Sequence, residues 1–70
     1  MMRMSARNQV RARVTAITTG EATANVELDA NGLRMVASIT TEAARELSLA
    51  EGSEVIAMIK ASDVILAVAD

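Results

Sequence analysis

Seventy residues with a formal net charge of −2 and a hydrophobic fraction of 51% read as a single domain, residues 1–70, near the lower size limit for a self-sufficient core. Cys, His, Pro, Phe, Tyr and Trp are all absent, which excludes disulfides, thiolate or imidazole metal ligands and Cys- or His-based catalysis. The acidic balance argues against a generic polyanion binder, which needs a basic face.

No apolar run approaches the ~20 residues of a membrane span. Met1-Met2-Arg3-Met4 runs directly into polar residues, without the apolar stretch of a signal peptide, so a cytoplasmic protein is expected. Fourteen of the apolar residues are alanine, which bury little area. Small domains with so thin a core recover stability through metals, disulfides or self-association. With no Cys or His, self-association is the expected route.

Taken in chain order, the pattern is that of strands. Val10, Ala12, Val14 and Ala16 alternate with Arg11, Arg13 and Thr15, which predicts a first strand. Thr18-Thr19-Gly20-Glu21 reads as a turn, and Ala22, Ala24, Val26 and Leu28 alternate with polar residues in a second strand. Asp29-Ala30-Asn31-Gly32 follows, and Asn-Gly signals a tight hairpin because both residues accept positive φ. Leu33, Met35, Ala37 and Ile39 then mark one face of a third strand.

Thr40-Thr41-Glu42-Ala43-Ala44-Arg45-Glu46-Leu47 breaks the alternation. A Thr cap, an acid in the first turn and alanines predict a helix of about two turns. Leu47 and Leu49 turn inward, and Glu51-Gly52-Ser53 makes a turn. Val55–Lys60 and Val64–Val68, joined by Ala61-Ser62-Asp63, read as strands four and five. The order β-β-β-α-β-β predicts an all-β fold, a small five-stranded OB-like barrel with one short helix between strands three and four.

Strands four and five are apolar on both faces, and such strands are buried on both faces. A 70-residue monomer has nothing left to cover the second face. A subunit interface is expected there.

Catalysis has little to draw on. The carboxylates Glu21, Glu27, Asp29, Glu42, Glu46, Glu51, Glu54, Asp63 and Asp70 are scattered, and no spacing pairs two of them for acid–base work. They read as solvated surface charges. Neither an enzyme nor direct side-chain metal coordination is expected.

Two clusters carry the functional signal. Ser5-Ala6-Arg7-Asn8 precedes strand one, and Lys60-Ala61-Ser62 lies at the turn between strands four and five. Each sets a hydroxyl beside a cation on a turn with free backbone amides, a donor set that suits a tetrahedral dianion. Thr40-Thr41, at the helix start, is a third source of donors. By spacing alone, plain turn residues and a plain cap account for the same positions, and both readings stay open.

The clusters also resemble a known family. Ser5-Ala6-Arg7-Asn8-Gln9, Ser38-Ile39-Thr40 leading into a helix that ends Glu46-Leu47-Ser48-Leu49, and Ile59-Lys60-Ala61-Ser62-Asp63-Val64 are similar to the molbindin (Mop) family. These are stand-alone transport-associated OB (TOBE) domains, also described as molybdenum-pterin-binding proteins. The resemblance runs from Met4 to Val68. It implies an intracellular homohexamer, a trimer of dimers, that binds, stores and buffers molybdate or tungstate at subunit boundaries and needs no cofactor. Ser5, Arg7, Lys60 and Ser62 would contact the oxyanion, with amides near Ala6 and Ala61 and with Thr40 from a neighbouring subunit. Asn8 would orient the loop, and the Thr19-Gly20 turn is a candidate for a further oxyanion site. Ser48 stands where Gly is common, and the Asn31-Gly32 hairpin is short, two departures that bear on turn geometry rather than on the ligand groups.

The competing readings are three. A molybdate-sensing module would act on a transporter or transcription factor in trans. A nucleic-acid-binding OB module would need aromatic stacking platforms and a basic groove, which this chain lacks. A small β-type DNA-binding dimer would need a clustered basic surface, whereas Arg3, Arg7, Arg11 and Arg13 form one modest group. Neither nucleic acid nor membrane is an expected partner.

Overall fold

The computed structural model describes residues 5–69. Met1–Met4, on which the reading of the N-terminus and the charge of Arg3 depend, lie outside the described residues, as does Asp70. The elements are β1 (Asn8–Thr19), β2 (Thr23–Ala30), β3 (Leu33–Thr40), a short helix α1 (Thr41–Glu46), β4 (Glu54–Ile59) and a single 3-10 turn at Ala61–Asp63. The strands form one antiparallel sheet in the order β3-β2-β1-β4.

β1 is the long central strand, and it serves two partners in succession. Its first half, Asn8 to Arg13, pairs with β4, and Arg13 to Thr19 pairs with β2. The register slips between Val14 and Ala16, a bulge centred on Thr15, whose hydroxyl donates to the Glu27 carbonyl at 3.2 Å. A bulge adds one residue to one strand and shifts the phase of its side chains. Beyond it Ile17 packs on the core, so the simple alternation through Ala16 does not extend along the whole strand.

Val14 and Val26 are almost fully buried, and Ala12, Leu28 and Ala30 complete the cluster. Met35, Ala37, Ile39, Leu49, Val55 and Ala57 close around it. Most of the inward positions expected for strands one to three are among them, but Leu33 and Leu47, also expected inward, are 62% and 66% exposed.

The turns follow their residues. Asn31 (φ 58°) and Gly32 (φ 94°) take up the positive dihedrals of a two-residue hairpin, and the Gly32 amide donates to Asp29 Oδ1 at 3.1 Å. Thr40 caps α1, its Oγ1 accepting from the Ala43 amide at 3.0 Å. The helix ends in a Schellman arrangement: the Ser48 amide donates to Arg45 O and the Leu49 amide to Ala44 O, at 3.0 and 3.1 Å. That closure requires Ser48 at φ 52° and delivers Leu49 to the core.

The fifth strand is not formed, and the sheet is not closed. After the 3-10 turn, residues 64–69 pair with no strand, and Ile65, Leu66 and Val68 are 92%, 88% and 87% exposed. The expected five-stranded OB-like barrel is therefore corrected to an open four-stranded antiparallel sheet with one short helix. A strand exists only where another offers its N–H and C=O groups, and hydrophobicity along one chain does not specify the donor. Among the described residues, edges β3 and β4 stay unpaired.

On the outer face, the register sets Arg34, Asp29, Arg13 and Glu54 side by side across all four strands. Their signs alternate. Arg34 makes the shorter contact diagonally, with Nη2 and Nε at 2.6 and 3.1 Å from Glu27 Oε1.

Candidate functional site

The β1–β4 ladder brings the two clusters together. Its last rung is Asn8 opposite Ile59, so Arg7 and Lys60 are the next residues out on the two strands. Opposed Cα atoms in such a ladder lie ~4.5–5.5 Å apart. Ser5-Ala6-Arg7 and Lys60-Ala61-Ser62, 50 or more residues apart in sequence, thus share one end of the sheet. Asn8 ties that rung with its side chain, Nδ2 donating to the Ile59 carbonyl at 3.1 Å.

The 3-10 turn shapes the Lys60 side. Lys60 is extended, and its carbonyl accepts from the Asp63 amide at 2.9 Å. The amides of Ala61 and Ser62 precede that first bond and have no partner inside the turn. Ser5, Arg7, Lys60, Ala61 and Ser62 are exposed, and Ala6 is half-buried. Among the described residues, neither Arg7 nor Lys60 joins an ion pair; the pairs found are Arg13–Glu54 at 4.0 Å and Arg34–Glu27. Two exposed cations, two hydroxyls and two turn amides at one strand end can hold a compact dianion. A group of acidic residues fit to hold a metal cation is absent among the described residues.

Thr40 is elsewhere. It pairs with Thr23, and the neighbouring Ala24 pairs with Thr19 at the far end of β1. The twelve residues of β1 would span roughly 35 Å if straight. Thr40 therefore does not join Arg7 and Lys60 within one chain. The open helix start expected at Thr40-Thr41 is also largely satisfied: the Thr41 amide donates to Ala22 O at 2.9 Å and its hydroxyl to Gly20 O at 2.8 Å, while Ala43 N–H takes Thr40 Oγ1. Thr41 is buried and serves to dock α1 on the first hairpin. Thr40 is exposed, and its hydroxyl hydrogen can still be donated.

A depression of about 870 Å³ includes none of the seven candidate residues. Leu47, Leu49, Ile56 and Met58 give it apolar walls beside Arg11 and Arg13. A smaller one of about 190 Å³ includes Thr19 and Gly20, together with Thr41 and Arg45. Sequence reading did not single out the larger surface, although exposed Leu47, Ile56 and Met58 mark it.

A family profile described as the TOBE domain matches residues 4–66. The chain belongs to the TOBE family. It is 49% identical over 67 residues to the molybdenum-pterin-binding protein MopA of Rhodobacter capsulatus, covering 94% of this chain and 25% of that protein. This TOBE chain thus spans about a quarter of the length of that relative. Its fold matches that of a molybdate-binding protein from Sporomusa ovata with a TM-score of 0.91 and 33% identity, over 94% of this chain and 98% of the other. It matches the cytoplasmic molybdate-binding protein ModG, in a molybdate-bound form, with a TM-score of 0.83 and 41% identity, over 86% of this chain and 43% of the other. That structure is described as suggesting a cooperative binding mechanism.

Proposed function

We propose that this TOBE chain is a cytoplasmic binding protein, not an enzyme, that reversibly holds molybdate or tungstate and so stores and buffers the oxyanion. The observation that carries this reading is the Asn8–Ile59 rung, which sets Ser5-Ala6-Arg7 beside Lys60-Ala61-Ser62. Arg7 and Lys60 supply charge, while Ser5, Ser62 and the amides near Ala6 and Ala61 supply directional donors. The similarity to molybdate-binding proteins, one of them cytoplasmic, supports both ligand and compartment.

The working unit on this reading is a homo-oligomer with sites at the boundaries between copies. Thr40 reaches an oxyanion only from a second copy, given its place at the opposite end of β1. The apolar segment from Val64 to Val68 is exposed in the single chain, and contact with another copy removes it from water. A trimer of dimers is the arrangement the family resemblance implies. Ligand held between chains then stabilises the assembly by mass action.

A thermal-shift titration with molybdate, tungstate, sulfate and phosphate tests the ligand. Molybdate and tungstate raise the melting temperature, by an amount equivalent to about 2.7 kcal/mol at a hundredfold excess over Kd. Equal shifts with all four anions, or none, contradict the reading. A sensing role is the second reading, favoured by the 46% identity to part of the molybdenum transport protein ModE of Herbaspirillum seropedicae. A molybdate-dependent pull-down of a transporter or transcription factor distinguishes it from storage.

A further inference from the structure

The site as proposed assembles on the terminal rung of a ladder, and terminal rungs open at the lowest free energy. Beyond this rung the two strand ends carry Arg7 and Lys60, whose like charges favour separation when no anion lies between them. Backbone pairing alone leaves this end free to fray. One side chain opposes that: Asn8, with its amide on the carbonyl of Ile59, the residue immediately before Lys60. The bond spans 51 residues of sequence and couples the two peptide segments that carry the candidate contacts.

We infer that Asn8 is a positioning residue, a clamp that holds the Arg7 and Lys60 segments at binding distance before the anion arrives. This deepens the oxyanion reading and rests on it. Asn8 need not touch the ligand. Its effect is to remove part of the ordering that binding would otherwise have to supply. Asparagine suits the position because its short amide carries a donor without adding a charge beside the anion. An Asp here has no donor for the Ile59 carbonyl when ionised.

The test compares the full-length wild type with Asn8→Ala and Asn8→Asp. Without ligand, amide hydrogen exchange in the last β1–β4 rungs, at Gln9, Val10, Met58 and Ile59, speeds up in both variants, while Val26 and Leu28 in the core keep wild-type protection. In calorimetry with sodium molybdate, Asn8→Ala binds about 2- to 10-fold more weakly, the range expected for losing one hydrogen bond. Its melting temperature without ligand stays close to wild type. Unchanged exchange at Gln9, Val10, Met58 and Ile59 overturns the clamp, as does unchanged affinity of Asn8→Ala where the wild type binds. A drop in core protection equal to that at Met58 and Ile59 also overturns it, because Asn8 would then act through global stability. If the wild type does not bind molybdate, the ligand reading fails, and the exchange data alone decide whether the clamp exists.

Discussion

Thr40 stands opposite Thr23 at one end of the sheet, whereas Arg7 and Lys60 extend from the last rung at the other. One chain therefore holds two incomplete parts of the proposed site. On the proposed reading the parts meet between copies, which would link ligand binding to assembly.

Loss of the cationic end is expected to weaken the ligand without unfolding the protein. Lys60→Ala and Ser62→Ala change exposed residues outside the core. A lost hydrogen bond to a charged group is worth ~1.5–3 kcal/mol, or roughly 10- to 150-fold in affinity. Calorimetry with molybdate measures this, and unchanged affinity in both variants contradicts the site assignment.

The exposed C-terminal segment should govern assembly. Ile65→Asp together with Leu66→Asp places charges on the two most exposed large apolar side chains. A smaller species in light scattering is expected. A wild-type chain that is a folded monomer at micromolar concentration contradicts the interface reading outright.

Ser48 gives a stability prediction. It holds φ 52° to close the Schellman turn, a conformation that favours glycine. Ser48→Gly is expected to stabilise the fold by about 0.5–1 kcal/mol, because a non-glycine residue in the left-handed region carries a penalty of roughly 1–2 kcal/mol, partly offset by the entropy of glycine. Denaturant titration reads the change, and a loss of stability would contradict it.

Leu28 tests the core. It is 5% exposed and packs with Ala12, Val14 and Val26. Leu28→Ala is expected to lower stability by ~2–5 kcal/mol through lost burial and a residual cavity. A change below 1 kcal/mol in the same titration would mean that this cluster does not anchor the sheet.

Much of the fold was legible in the sequence. The alternation of Val10, Ala12 and Val14, the Asn31-Gly32 hairpin and the Thr40 cap each act within a few residues, and the structure reproduces them. The bulge at Thr15 was not legible, because an inserted residue leaves the hydrophobic pattern nearly intact while shifting its phase. The fifth strand failed for a different reason. Val64–Val68 has the composition of a doubly buried strand, but composition does not say which chain provides the cover. For the site, the residue types of Ser5-Ala6-Arg7 and Lys60-Ala61-Ser62 suggested the chemistry. Their adjacency came only with the Asn8–Ile59 register, and the separation of Thr40 came the same way.

Native mass spectrometry of the full chain titrated with sodium molybdate tests the shared-site claim most directly. The account predicts molybdate bound to oligomers only, with ligand addition increasing their share at the expense of monomer. Monomers that carry molybdate at the same affinity as the oligomers would contradict it.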